Sequence, residues 1–148
     1  MTKPPMIVLA GPTAVGKTTL SLKLAKRVKG EIISADSMQV YRHMDIGSAK
    51  IMPDQMEGVP HHMIDILEPW EEFNVVIFKQ KCEACLKGIY ERGHIPIVTG
   101  GTGFYIQALL RDIDFTENEE NTRIREELEA LPEEKGTAYL HELLESVD

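Results

Sequence analysis

The sequence predicts an α/β protein with a mostly parallel sheet and a ligand held at the C-terminal edge of its strands. Three observations carry that prediction. An apolar run, Ile7 to Ala10, leads into Gly11-Pro12-Thr13-Ala14-Val15-Gly16-Lys17-Thr18 and then into a lysine-flanked amphipathic stretch ending at Lys29. This is the phosphate-binding loop G-x-x-x-x-G-K-[ST], set between a strand and a helix, the context in which it works. Second, Ile95-Pro96-Ile97-Val98 runs into Thr99-Gly100-Gly101-Thr102-Gly103 and another helical stretch, a second glycine-rich corner at the same sheet edge. Third, strands, loops and helices alternate along the chain, as in a parallel sheet covered by helices.

The loop has a defined chemistry. Its glycines let the backbone turn so that consecutive N–H groups converge on phosphate oxygens, and the helix N-terminus adds partial positive charge. Lys17 brings a mobile cation to the same oxygens, and the Thr18 hydroxyl is placed to ligate Mg2+.

After a helix over Thr19–Lys29, Gly30 reads as its stop and Glu31 to Ser34 as a second short strand. Asp36, Ser37, Met38 and Gln39 follow where ligands bind in an open parallel sheet, and Asp36 or Ser37 can equally cap a short helix. Asp36 is expected one sheet neighbour away from the phosphate loop. Gly47, Pro53, Gly58 and Pro60 break up residues 42–60, leaving a short helix near Pro53 to Met56. His61 to Ile66 reads as a strand, on which the adjacent His61 and His62 point to opposite faces and make poor joint metal ligands. Asn74 caps a helix from Val75 to about Arg92, ended by Gly93, and Ile95 to Val98 and Phe104 to Leu110 form the next strand and helix. Asp112 to Asn121 reads as an acidic loop, and Thr122 to Leu131 and Gly136 to Val147 as amphipathic helices separated by Pro132. The expected organisation is an α/β core over 1–114 and the start of a helical insertion over 115–148.

Composition narrows the function classes. With 43% hydrophobic and 27% charged residues in 148, the chain matches a soluble globular domain. No apolar run approaches the roughly 18 residues of a membrane span, and no secretory leader is visible, so a cytoplasmic protein without a membrane partner is expected. The net charge of -8 lies wholly in the tail, because residues 1–114 carry 13 basic and 13 acidic side chains. The acidic total therefore speaks against nucleic-acid binding by the last segment and not by the core. Cys82 and Cys85 form a C-x-x-C, a spacing shared by redox and zinc sites. They fall inside a helical apolar pattern with no second cysteine pair, which favours buried thiols.

Taken together, the phosphate loop, Ile33-Ser34-Ala35-Asp36-Ser37-Met38-Gln39-Val40-Tyr41, Met44-Asp45-Ile46-Gly47-Ser48-Ala49-Lys50, Pro60-His61-His62 and Gly100-Gly101-Thr102-Gly103-Phe104-Tyr105 resemble the tRNA dimethylallyltransferases. The resemblance covers most of residues 6–145. It implies a phosphate-loop NTPase-like three-layer fold and an enzyme moving a dimethylallyl group from dimethylallyl diphosphate to N6 of an adenine beside the tRNA anticodon. It also implies that the loop, Gly11 to Thr18, holds the prenyl diphosphate with Mg2+ at Thr18, that Asp36 accepts the amine proton, and that Thr18 orients the diphosphate. Ser37, Met38 and Gln39 would line the pocket of the extruded base, and Thr102 and Arg125 would touch the tRNA. Arg125 could instead pair with Glu129 one turn on. Family members are substantially longer, so the resemblance implies a piece of a longer protein lacking a further diphosphate arginine and much of the tRNA surface. A monomer is expected.

Two other readings fit the loop alone. A small-molecule kinase would use ATP and Mg2+ with Asp36 as base for a substrate hydroxyl, although no arginine-rich lid follows. A nucleotide switch would need a D-x-x-G after an apolar strand, and none is present.

Overall fold

The computed structural model describes residues 4–111 and 119–147. Its core is a four-stranded, fully parallel sheet of β1 (Ile7–Ala10), β2 (Gly30–Ser34), β3 (His61–His62) and β4 (Ile95–Gly100), in the order β1-β4-β2-β3. Helix α1 (Lys17–Val28) links β1 to β2, α2 (Val75–Glu91) precedes β4, and α3 (Gly103–Leu110) follows it. Two compact units divide the chain, Met1–Ile113 and Asp114–Asp148. The second contains α4 (Glu119–Lys135) and α5 (Thr137–Glu145).

Strand periodicity builds the two faces of the sheet. Ile32 pairs with Ile97 and Ile33 with Val98, so successive residues go to opposite sides. Ile32 and Ile97 join Leu22 and Ala25 of α1 with Ile51 and Val59. Ile33 and Val98 join Phe78, Cys82 and Ile89 of α2 with Tyr105 and Ile106 of α3. Helices thus cover both faces of a buried parallel sheet, as its near-continuous apolar strands require. Phe78 stacks on Tyr105 with ring centroids 4.7 Å apart, locking α2 to α3.

Helix α2 has both of its expected ends. Asn74 Oδ1 accepts from the backbone N–H groups of Val76 and Ile77 at 3.0 Å each. At the other end Gly93 is left-handed, with N–H groups of Gly93 and His94 donating to Tyr90 and Ile89 carbonyls. Cys82 is fully buried and Cys85 half-buried on this helix. Burial pushes the Cys82 thiol up to about 12 and raises that of Cys85, so neither carries an activated thiolate. Thiol reagents should label both slowly in the native protein and fast after denaturation. Rapid native labelling would overturn the core assignment.

Five expectations change. The sheet order places β4 between β1 and β2, so Asp36 is two strands from the phosphate loop and not one. Two buried apolar strands read alike in sequence, and the order is set by which packs between the others. At this join a Cβ on Gly100 would lie 2.2 Å from the Ala35 carbonyl oxygen, so glycine lets β4 approach the end of β2. Gly30 is the first residue of β2 and not the helix stop, because Lys29 itself adopts the left-handed conformation and donates to Ala25. The strand at His61 ends after His62, since Met63 and Asp65 take positive φ. Pro132 lies inside α4, where acidic and aliphatic helix formers flank it, and the break comes at Gly136 with φ of 83°. Residues 112–118 of the expected acidic loop lie outside the described residues, and 119–121 are helical.

Candidate active site

The C-terminal ends of β1, β2 and β4 open onto one cleft of about 280 Å³. Its phosphate-loop side consists of Thr13, Ala14, Gly16, Lys17 and Thr18, and Asp36 and Gln39 line it beyond β2. Ile32 and Ser34, two residues apart in β2, present one face to it, and Thr99 is in register with Ser34. Ile51, Ile64 and Ala49 add apolar surface, and His61 completes the wall.

Local backbone explains the loop. Gly16, at φ 86° just before α1, and Ala14, at φ 63°, turn the chain so that α1 starts at Lys17 without a side-chain cap. The first-turn N–H groups of α1 therefore have no side-chain acceptor and confer partial positive charge on the cleft. Lys17 Nζ donates to the Gly11 carbonyl at 2.7 Å and to the Pro12 carbonyl, which folds the cation along the loop.

Asp36 sits in a tight turn. Its Oδ1 accepts from the N–H groups of Met38 at 2.8 Å and Gln39 at 3.2 Å. The carboxylate is thus oriented by the backbone, while Oδ2 takes no part in the turn. The short helix that Asp36 or Ser37 could have capped does not form: residues 37–40 are a turn, and Asp36 Oδ1 serves that turn.

Gln39 is more committed than its residue type suggested. Its Oε1 accepts from Ser34 Oγ at 3.0 Å, and its Nε2 donates to the carbonyls of Ser48 at 3.3 Å and Ala49 at 3.2 Å. Both amide donors are used, leaving an acceptor lone pair for a ligand. Ser37 and the exposed Met38 lie in the turn beside the cleft without lining it. Thr102 precedes α3 at the same edge, half-buried, with its carbonyl accepting from Tyr105 and Ile106. Arg125 is exposed on α4 in the second unit, where the described i,i+4 pair is Arg123 with Glu127 at 3.0 Å.

His61 and His62 do face opposite ways. His61 Nδ1 meets the Val59 carbonyl at 2.8 Å, which fixes the proton on that nitrogen, and burial lowers its pKa. His62 turns to the buried Glu31, which also holds His94 and accepts from Nε and Nη2 of Arg92. Sequence reasoning did not single out Ser34 or Thr99 as site residues. Their signal was a hydroxyl closing an apolar strand at the edge where parallel sheets bind ligands.

A parallel sheet whose first strand delivers this loop to a helix N-terminus, with the cleft at the C-terminal edge, defines a phosphate-loop α/β protein. The IPP transferase family model matches residues 39–148 and the isopentenyl transferase model residues 5–67. The chain belongs to the IPP transferase family. It is 60% identical over 144 residues to the tRNA dimethylallyltransferase of Lachnoclostridium phytofermentans, covering 97% of this chain and 46% of that protein. Its structure is similar to that of the full-length tRNA isopentenylpyrophosphate transferase of Bacillus halodurans, with TM-score 0.76 and 46% identity over 99% of this chain and 48% of the other. A eukaryotic dimethylallyltransferase acting on tRNA aligns with TM-score 0.68 and 43% identity over 70% of this chain and 26% of its own. The chain spans about half the length of the curated relatives it matches. Among the described residues no helix is long and apolar enough to cross a membrane.

Proposed function

We propose that the protein transfers a dimethylallyl group from dimethylallyl diphosphate to N6 of an adenine beside the anticodon of tRNA. One observation carries the reading: a single cleft combines the phosphate loop, the Asp36 carboxylate and a wall of isoleucines. A prenyl diphosphate has a charged end for the first, a hydrocarbon end for the last, and a reaction that releases a proton. In that reaction the carbon–oxygen bond breaks, the diphosphate keeps the electron pair, and N6 bonds to the freed carbon. The Oδ2 side of Asp36 takes the amine proton. Lys17 and the first amides of α1 stabilise the charge growing on the departing diphosphate, so they act more strongly in the transition state than before it. Ile32, Ile51 and Ile64 hold the prenyl carbons away from water.

The donor set fits Mg2+. Thr18 lines the cleft, and this ion takes few protein ligands, filling its shell with phosphate oxygens and water. Bound there it would neutralise diphosphate charge. Ser37, Met38, Thr102 and Arg125 are proposed tRNA contacts, and the adenine must leave its stack to reach the cleft. Within this reading the protein works in the cytoplasm as a monomer. The similarity to enzymes named for prenyl transfer to tRNA supports it over a phosphate-loop kinase.

Titration with diphosphate and Mg2+ tests the cradle. Lys17→Ala should weaken binding by roughly 1.5 to 3 kcal/mol, on the order of 10- to 100-fold, with little loss of stability. Its present partners are carbonyls of a largely exposed loop, which water can satisfy. Unchanged affinity would remove Lys17 from the mechanism.

A further inference from the structure

Lys50 closes the Asp-Ile-Gly-Ser-Ala-Lys segment, and the mechanism above leaves it without a task. Its side chain is completely buried, yet it is a charged lysine. The ammonium donates to the Tyr41 carbonyl at 2.6 Å, to Asp45 Oδ1 at 2.9 Å and to Asp65 Oδ1 at 2.6 Å, using all three of its protons. Burial disfavours the charge, and the two carboxylates outweigh it and hold the pKa above the ordinary lysine value.

Those acceptors come from two stretches outside the named strands and helices, residues 41–45 and the segment at Asp65. His43, Gly47, Ala49, Met63 and Asp65 all have positive φ. Backbone hydrogen bonds join residues 39–42 to 65–67, and between those ties the side-chain contacts of Lys50, Ser48 and Gln39 hold residues 44–50. Ser48 Oγ bonds the Met44 carbonyl at 2.6 Å, and the Gln39 amide ties Ser48 and Ala49 to the Asp36 turn. The residues next to these anchors are the wall of the cleft. Ala49 and Ile51 flank Lys50 in sequence, and Ile64 precedes Asp65.

A buried ion pair is poor evidence of stabilisation, since an apolar isostere often serves as well, but it can specify one arrangement among several. Three acceptors from two segments converge on one ammonium in a single arrangement of the wall. We infer that Lys50 is a positioning residue that sets the apolar wall of the cleft, placing Ala49, Ile51 and Ile64 against the hydrocarbon part of the ligand. The inference rests on the proposed prenyl diphosphate reading and adds the device that shapes the prenyl end. The phosphate loop, on separate elements, is independent of it.

The test compares two probes with Mg2+ on the full chain: inorganic diphosphate and dimethylallyl diphosphate. Lys50→Met keeps the length and apolar stem, and Asp45 and Asp65, each nearly half exposed, can turn to water. The expected result is a loss of about 10- to 100-fold in affinity for the prenyl ester, the range that a small misplacement costs, with inorganic diphosphate changed by no more than about twofold. Should Lys50→Met not fold, Asp65→Asn, which removes charge but keeps an acceptor, should show the same selective loss. Equal losses for both probes mean a merely structural role, and no loss for either means no role; each result overturns the inference. A starting protein that binds both probes equally would sink the prenyl reading of the cleft first, and the role of Lys50 with it.

Discussion

Asp36→Asn should lower prenyl transfer in the full-length protein by about 10²- to 10⁴-fold, the usual contribution of a positioned general base, with folding and diphosphate affinity nearly unchanged. The geometry makes this substitution unusually clean. Both hydrogen bonds of the turn end on Oδ1, from Met38 and Gln39, and asparagine keeps an oxygen there. What changes is the other position, where an amide nitrogen cannot take a proton. If Asp36 served the turn alone, the pattern would reverse: Asn would be neutral in every assay and Ala would cost about 1 kcal/mol of stability. Single-turnover transfer to an anticodon stem-loop, measured beside the melting temperature of both variants, decides the matter. An Asp36→Asn protein with an unaltered rate would leave Asp36 a structural residue.

The parts of the site legible in the sequence are those built from contiguous residues. The phosphate loop spans Gly11 to Thr18, its context is one strand and one helix, and Asp36 closes the next strand. Such signals survive because local backbone geometry creates the chemistry. The isoleucine wall was not legible, because Ile32, Ile51 and Ile64 read as ordinary core residues until the fold set them beside the loop. Strand order failed for the same reason, since nothing in Ile95 to Val98 says that it inserts between β1 and β2. Lys50 and Glu31 were invisible in a stronger sense. Each is a charged side chain whose burial depends on partners up to 15 and 63 residues away, which no periodicity reports. The one hint was a glutamate opening an apolar strand that must be buried on both faces.

That glutamate gives the second large effect, on stability and not on catalysis. Glu31 is 1% exposed on the face of β2 opposite Ile32. Arg92 grips both carboxylate oxygens at 2.8 Å each, His62 meets one at 2.6 Å and His94 the other at 2.7 Å. The cluster joins β2 to β3, to the end of α2 and to the approach to β4. Arg92 above all, against the opposing effect of burial and with help from His62 and His94, holds the Glu31 carboxyl down at about 2. Relative to an ordinary 4.5, that depression corresponds to roughly 3 kcal/mol of stability at neutral pH. The sign follows from the lowered value. Above about 4.5 the carboxylate is charged in both states and the full contribution is present; between about 4.5 and 2 the unfolded chain takes up the proton first, and the contribution drains away as pH falls. Glu31→Gln keeps the volume and loses the charge, so it should cost about 3 kcal/mol at pH 7, where a lost buried partner is expensive. It should also remove this group's share of the acid-side slope, so that the variant and the original converge in stability toward pH 2. Catalysis should not move, because Glu31 lies near the start of β2 and faces away from the cleft, whereas Asp36 lies just past its end. Urea unfolding of both proteins at several pH values measures the difference. Equal stability at pH 7, or a gap that persists unchanged to pH 2, would show that the buried carboxylate does not hold these strands together.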